Sequence, residues 1–315
     1  MMNNATELSV IIVNHNGGKV LSDCVSSVLN HFNGFKFEVL VYDNNSSDDS
    51  LSLLPGDKRI SVLEGRTNLG FGSANNAAFK ESAGRYILLL NNDARFIDAS
   101  FNLIFDYIKE NAGIVASCKI LNPGNDPESS AGFLPSVNSE VLNWGLNKIK
   151  FFRLPFSRTH FIETWKKNEI VFPERITGCF MLMERRVFGK LNGFDENFFM
   201  YYEDSDFCKR AAEEGFRIVY FPSTTIEHLK GHSRHSLDAY KTLEYSFESC
   251  RYYIAKHFGR HALDKFDRRV RFLWNIVLVI LQTINVLALT SFKKIRDKIS
   301  LVKIMKNFSL NGAER

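Results

Sequence analysis

Apolar and polar positions follow two rhythms through the first half of the chain. In LSVIIVNHN a β-branched run, Val10 to Val13, stops abruptly at polar residues, as a buried strand does. Beyond Gly17-Gly18 the apolar positions are Val20, Leu21, Cys24, Val25, Val28, Leu29 and Phe32, the period of an amphipathic helix. FEVLVYDNNS and ISVLEG predict a second and a third strand, GSANNAAFKESAG a helix stopped at Gly84, and RYILLLNND a fourth strand. DASFNLIFDYIKENAG predicts a helix capped by Asp98, and GIVASCKIL a fifth strand. Strands separated by helices of this length predict βαβ units on a mostly parallel sheet, the α/β class.

The rhythm fails from about Asn122 to Phe172. Gly, Pro, Ser and Asn dominate Asn122 to Ser139, and Trp144, Phe151, Phe152, Phe156 and Trp165 follow in no regular period. This 122–172 stretch reads as a variable insertion. Order returns with ITGCFMLMERRVFGKLNGFDENFFMYYEDSDFCKRAAEEGFRIVYFP, which predicts strand, short helix, loop, helix and strand. Near the C-terminus, Phe272 to Phe292 runs 21 residues without a charge, flanked by Arg268, Arg269 and Arg271 before and Lys293, Lys294, Arg296 and Lys298 after. As a helix it would be about 31 Å long, close to the thickness of a bilayer core. Asn275, Gln282, Thr283 and Asn285 count against a span, and a helix on the membrane interface or one packed in a soluble unit or oligomer stays open.

Composition changes this picture little. Hydrophobic residues at 45% and charged residues at 24% of 315 describe a chain able to build one large or two smaller cores. The net charge is +5, and Lys and Arg crowd the stretch Lys256 to Lys306. Such a stretch suits an anionic surface, and its apolar centre argues for membrane over nucleic acid. The five cysteines stand singly with no C-x-x-C spacing, as reduced thiols of a cytoplasmic protein do. The N-terminal MMNNATELSVIIVNHNGG lacks a basic region and a long apolar run, so export is not expected.

In a parallel sheet, ligands bind beyond the carboxyl ends of the strands. Four such ends are polar here: Asn14-His15-Asn16-Gly17-Gly18; Asp43-Asn44-Asn45-Ser46-Ser47-Asp48; Glu64, Arg66 and Asn68, leading to Gly70-Phe71-Gly72 and Asn75-Asn76; and Asn91-Asn92-Asp93. One such end is ordinary turn chemistry, but four in succession suggest a site. Gly70-Phe71-Gly72 half-matches a dinucleotide fingerprint, yet it does not close the first strand–helix turn. Glu203-Asp204 opens a helix directly after Phe198-Phe199-Met200-Tyr201-Tyr202. Asp204 or Ser205 can cap that helix. An aromatic wall can also raise a carboxylate's pKa toward useful basicity. Asp206 is placed to pair with Arg210, four residues on.

VIIVNHNGG, VYDNNSSDDS, NLGFGSANNAAF, LLLNND, TGCFML, NGFDENFFMYYEDSDFCKR and HLKGHS, in that order, resemble the family 2 glycosyltransferases of the GT-A fold. More narrowly they resemble the bacterial rhamnosyltransferase-like branch that builds surface polysaccharides, O-antigen among them. The resemblance runs from about Leu8 to Ser233 and holds beyond that only in general character. It implies a GT-A domain over 1–235, while the basic and apolar pattern beyond it predicts a helical, membrane-associating region over 236–315, with peripheral contact through 268–298. It implies Asp204 as catalytic base, with Glu203 as the alternative. It places Asn14, Asp43, Arg66, Asn68, Gly70, Gly72, Asn75 and Asn92 on the nucleotide-sugar donor. Asp43 would accept the imide N–H of uracil or thymine, unless it serves only an Asx-turn. It assigns Asp93 and His228 to a divalent cation, Mn²⁺ or Mg²⁺. Asn91-Asn92-Asp93 keeps one carboxylate of the family's D-x-D motif, and His232 and His235 compete with His228 for the histidine role.

The chemistry implied is inverting transfer of a sugar, first to be considered rhamnose from dTDP-rhamnose, to a lipid-linked saccharide at the cytoplasmic, inner face of the plasma membrane. A homo-oligomer is compatible with this, and nucleic acid is not expected. Two other classes remain: a non-catalytic nucleotide-sugar or carbohydrate-binding protein on the same scaffold, and a nucleotidyltransferase, of which Gly17-Gly18-Lys19 is a faint echo.

Overall fold

The computed structural model describes residues 5–149, 169–229, 239–287 and 293–311. In chain order the elements are β1 (Leu8–Asn14), α1 (Lys19–His31), β2 (Phe37–Asp43), β3 (Ile60–Glu64), α2 (Phe71–Glu81), β4 (Tyr86–Asn91), β5 (Ala94–Phe96), α3 (Phe101–Glu110), β6 (Ile114–Leu121) and β7 (Ala131–Gly132). There follow α4 (Val137–Gly145), β8 (Arg175–Ile176), β9 (Phe180–Glu184), α5 (Arg185–Lys190), α6 (Glu203–Glu213), β10 (Arg217–His228), α7 (Ala239–Phe258), α8 (Arg260–Leu287) and α9 (Lys293–Asn311). The chain divides into two compact units, Met1–Leu134 with Phe161–Ala239, and Pro135–His160 with Tyr240–Arg315.

The first unit is built on an eight-stranded sheet in the order β3-β2-β1-β4-β9-β6-β10-β5. β1 pairs parallel with β2 and β4, β2 with β3, and β6 with β10. β9 enters antiparallel between β4 and β6, and β5 pairs antiparallel with β10. The α/β GT-A architecture expected from the sequence is therefore present, with a mixed sheet. The β-branched runs alternate faces as strands must. Val10 and Ile12 join one core with α1 and α3, while Ile11 joins the other with α2, α5 and α6. Phenylalanines fill the first core, with the Phe32 and Phe101 rings stacked 3.9 Å apart. Each such buried ring contributes about 1.5–3 kcal/mol.

One local expectation is corrected. Asp98 does not cap α3: the cap position is Ser100, without a side-chain bond, and Asp98 instead accepts from the Ser100 N–H at 2.8 Å. The start of the irregular stretch is ordered. Asn122 folds a tight turn by accepting from Gly124 N at 2.9 Å and Asp126 N at 3.0 Å. Phe151, Phe152, Phe156 and Trp165 lie outside the described residues.

In the second unit α8 packs on α4 and α9, and α7 joins them through Phe247, whose ring meets Trp144, Phe266 and Trp274. α4 opens with a capping box between Ser136 and Ser139. α8 buries Leu263, Phe266, Val270, Trp274, Val277 and Leu281 along one stripe, and Trp274 Nε1 donates to the Trp144 carbonyl at 2.8 Å. Asp267, on the same side, holds Arg251 at 2.9 Å. The other side of α8 carries Lys265, Arg268 and Arg269, then Phe272, Ile276 and Val279, all exposed. No helix among the described residues is long and apolar enough to cross a membrane. The end of the uncharged run, 288–292, lies outside them.

Candidate active site

Sheet register gathers the polar strand ends. Asn14 pairs with Asp43 across β1 and β2, and Val13 with Asn91 across β1 and β4. Asn14 and Asn92 therefore end up level with each other, and Asn92 Nδ2 donates to Asn14 Oδ1 at 3.0 Å. Asn14 Nδ2 donates to Asp43 Oδ1 at 2.9 Å and to Ser46 Oγ at 3.1 Å. Asp43 also accepts from Ser46 N at 2.9 Å and Ser46 Oγ at 2.6 Å. The Asx-turn with Asn45 expected as the alternative for Asp43 is not what forms: the carboxylate accepts from Ser46, three residues on. A carboxylate has roughly four acceptor sites, so one on Oδ2 stays available to a ligand. Gly17 lies under this network: a Cβ there would stand 2.4 Å from Asn14 Oδ1.

The third strand end is braced by a residue that sequence reasoning left among turn formers. Asn44 Nδ2 donates to Asn68 Oδ1 at 2.9 Å and to the Gly70 carbonyl at 3.0 Å, and its Oδ1 accepts from Leu69 N at 2.7 Å. Asn68 in turn accepts from Gly70 N at 2.9 Å. Gly70 has φ +81°, and a Cβ on it would meet the Phe199 carbonyl oxygen at 2.1 Å. Phe71 N donates to that same oxygen at 3.0 Å. A Cβ on Gly72 would press on Phe194 at 3.0 Å. The close approaches at both glycines are to this chain. Asn75 is buried and donates to the Phe71 carbonyl at 2.9 Å, and Arg66 is exposed.

The loop entering α6 is strained. Tyr201 and Tyr202 have φ +71° and +67°, which costs bulky residues about 1–3 kcal/mol each. Tyr202 occupies the helix cap position, and no side chain caps α6. The expectation that Asp204 or Ser205 caps it is corrected: the left-handed entry places both inside the first turn. Asp204 is half-buried and accepts from Ser205 N at 2.6 Å and Gly178 N at 3.3 Å. Glu203 is buried, and its Oε2 has no partner among the described residues. Burial first, then the Asp204 and Asp206 charges, push its pKa up to about 8. Asp206 pairs with Arg210 at 2.7 Å, as its spacing predicted, and Arg210 also donates to the Leu191 and Gly193 carbonyls.

Strand pairing that no periodicity reveals joins Asp93 to His228. β5 and β10 set His228 opposite Ala94, and Leu229 N donates to the Asp93 carbonyl at 2.8 Å. His228 Nε2 then stands 3.0 Å from Asp93 Oδ1, and Nδ1 stands 3.1 Å from Glu128 Oε2. Burial alone favours a neutral ring, but Cys179 and the Asp93 and Glu128 carboxylates outweigh it, and the pKa is pushed up to about 12. Burial pushes the Cys179 thiol up as well. Cys179 bonds His228, and its backbone carbonyl accepts from Asn91 N at 3.0 Å. Gly178 and Cys179 are consecutive: the Gly178 N–H bonds the Asp204 carboxylate and the Cys179 thiol bonds the His228 ring.

A family model described as glycosyl transferase family 2 matches residues 9–189. The chain belongs to glycosyl transferase family 2. A second model, described as the N-terminal domain of galactosyltransferase, matches 157–235. The N-acetylglucosaminyl-diphospho-decaprenol L-rhamnosyltransferase of Mycobacterium tuberculosis is 28% identical over 214 residues, 62% of this chain and 67% of that protein. Rhamnosyltransferase WbbL of Escherichia coli is 24% identical, covering 78% of this chain and 92% of its own. These relatives place the glycosyltransferase in the rhamnosyltransferase-like branch. O-antigen biosynthesis protein RfbC of Myxococcus xanthus is 28% identical over 76% of this chain, but this chain spans only 18% of that protein. Among solved structures, mannosyltransferase PcManGT from Pyrobaculum calidifontis, in complex with GDP-Man and Mn²⁺, superposes with TM-score 0.57. It covers 98% of this chain and 87% of its own at 13% identity, which establishes the GT-A fold.

Of the residues singled out in this glycosyltransferase's sequence, Asn14, Asp43 and Asn92 form one bonded network, while Asn68 and Gly70 share another with Asn44. Asp93 and His228 form a pair. His232 and His235 lie outside the described residues. Sequence reasoning missed Asn44 and Glu128. Asn44 was hidden in a run of turn-forming residues. Glu128 sits in the Gly, Pro, Ser and Asn-rich stretch, where no period marks a buried side chain. Among the described residues no three His, Cys, Asp or Glu side chains are grouped so as to hold a metal ion. The Asp93–His228 pair nonetheless fits as part of a coordination sphere. Its oxygen and nitrogen are 3.0 Å apart, and adjacent donors on an octahedral ion with roughly 2.1 Å bonds stand about 2.9 Å apart.

Proposed function

We propose that this glycosyltransferase moves a sugar from a nucleoside diphosphate donor to a hydroxyl of a lipid-linked saccharide, with inversion. The observation that supports this reading is the Gly178-Cys179 segment, whose first residue bonds the half-buried Asp204 and whose second bonds His228 of the Asp93–His228 pair. Asp204 takes the proton of the acceptor hydroxyl. The hydroxyl oxygen forms a bond to the anomeric carbon on the face opposite the diphosphate, and the anomeric carbon–oxygen bond breaks with its electron pair going to the diphosphate. Asp93 and His228 are the residues to hold a divalent cation, Mn²⁺ or Mg²⁺, which when bound neutralises charge on the leaving diphosphate. Two protein donors are few, so diphosphate oxygens and water would complete the sphere. Asp43, with one acceptor site left on Oδ2, suits the imide N–H of thymine or uracil. The rhamnosyltransferase relatives favour rhamnose as the sugar, for which we take dTDP-rhamnose as donor, and the decaprenol relative a lipid-linked acceptor.

Purified protein incubated with dTDP-, UDP- and GDP-sugars tests this, with Mn²⁺, Mg²⁺ or EDTA and an extract of lipid-linked saccharides. Nucleoside diphosphate released from one donor and lost in Asp204→Asn is expected. Donor binding without turnover would return the chain to the binding-protein reading. The exposed line on α8, basic at Lys265, Arg268 and Arg269 and apolar at Phe272, Ile276 and Val279, suits peripheral contact with an anionic bilayer. Sedimentation with phosphatidylglycerol vesicles, reduced in Phe272→Ser and Val279→Ser, is expected; equal sedimentation of wild type and variants would remove that contact.

A further inference from the structure

We propose that Glu128 is a positioning residue for the cation site: it accepts the Nδ1–H of His228 and thereby turns Nε2 toward Asp93. The inference rests on the reading of Asp93 and His228 as cation-holding residues. Pairing of β5 with β10 fixes only the backbone of His228. The ring, which also meets the Cys179 thiol, can still exchange its two nitrogens, and a ligand histidine needs an acceptor on its second nitrogen to prevent this. Glu128 supplies that partner, with Oε2 at 3.1 Å from Nδ1 while Nε2 stands 3.0 Å from Asp93 Oδ1.

Glu128 is placed for this by its own backbone. Its N–H donates to the Ile120 carbonyl at 2.8 Å, and Leu121 pairs with Pro127, so the segment folds back along the end of β6. The Asn122 turn closes the loop on one side. On the other, Thr177 N donates to the Ser130 carbonyl at 2.9 Å, tying the segment to the residue before Gly178. The Glu128 side chain is 8% exposed and that of His228 14%. Burying a carboxylate is costly unless a specific partner holds it, and a surface turn rich in Gly, Pro and Asn has no need of one.

The decisive measurement is Mn²⁺ affinity of the full chain, read from the free-ion paramagnetic resonance signal, with Mn²⁺ alone and with dTDP or UDP. Wild type is compared with Glu128→Leu, which removes the acceptor, and Glu128→Gln, whose amide oxygen keeps one. Glu128→Leu is expected to weaken Mn²⁺ binding about 10–100-fold, and Glu128→Gln to restore most of it. Metal-free melting temperature and nucleotide affinity in EDTA are expected to change little in both. Unchanged Mn²⁺ affinity in Glu128→Leu overturns the proposal, as does a loss equal in Glu128→Gln and Glu128→Leu. If Asp93→Asn abolishes Mn²⁺ binding while Glu128→Leu does not, the cation reading stands and Glu128 falls alone. If wild type binds no Mn²⁺ even with nucleotide, both fall together.

Discussion

The strand ends and the entrance to α6 hold their carboxylates by opposite means. At the strand ends, side chains clamp side chains: Asp43 is fixed by Asn14 and Ser46, and Asn14 by Asn92. At α6, no side chain caps the helix, two tyrosines hold left-handed backbone, and Glu203 is buried with Oε2 unpartnered among the described residues. The clamped region keeps its polar groups satisfied and spends few of them on a ligand. The α6 entrance is strained and leaves one acidic atom, Glu203 Oε2, without a partner among the described residues, an arrangement often found where a protein does chemistry. A clamped polar network and a strained helix entrance are different physical objects, and substitutions should separate the recognition and catalytic roles proposed for them.

The largest effect is expected at α6. Asp204→Asn keeps the shape and removes the proposed base, so turnover should fall about 10²–10⁴-fold while donor affinity holds. A parallel loss of donor affinity would make Asp204 part of the binding clamp. Next comes the point where the two regions touch. Gly70→Ala puts a Cβ 2.1 Å from the Phe199 oxygen in a left-handed position. It should destabilise the protein by about 2–4 kcal/mol in urea unfolding and lower turnover along with stability. Lost stability with normal turnover per folded molecule would show that the loop at Phe199 does not position the base.

The smallest effect is a gain. Glu203 has an ordinary pKa of 4.5 when unfolded and about 8 when folded. Between those values the folded state binds the extra proton, so stability present below pH 4.5 is lost as pH rises toward 8. Glu203→Gln removes that loss. It should be on the order of 1–3 kcal/mol more stable than wild type at pH 8 and nearly equal at pH 4.5, by urea unfolding at both values. A variant destabilised equally at both would mean Glu203 is ionised and held by a favourable partner.

The strands of the first unit were legible because β-branched runs end abruptly at polar residues, and α1, α2 and α6 because their apolar positions keep a helical period. Strand direction was not: nothing in FMLME says that β9 runs antiparallel between β4 and β6. The three-residue β5 is too short for a period, so the pairing that joins Asp93 to His228 was invisible, although the family resemblance named both residues. Asn44 was missed for a different reason. Asp43-Asn44-Asn45-Ser46 are all turn formers, and only the fold shows which of them reaches across to Asn68 and Gly70.

The Gly178-Cys179 unit has a mechanical consequence. Consecutive Cα atoms stand about 3.8 Å apart whatever the surrounding packing does. Because the Gly178 N–H bonds Asp204 and the adjoining Cys179 side chain bonds His228, a shift of this two-residue segment would move both contacts together. If Asp204 and His228 act as proposed, the loops around them can be remodelled for other sugars or acceptors while the shared segment keeps the two groups in step.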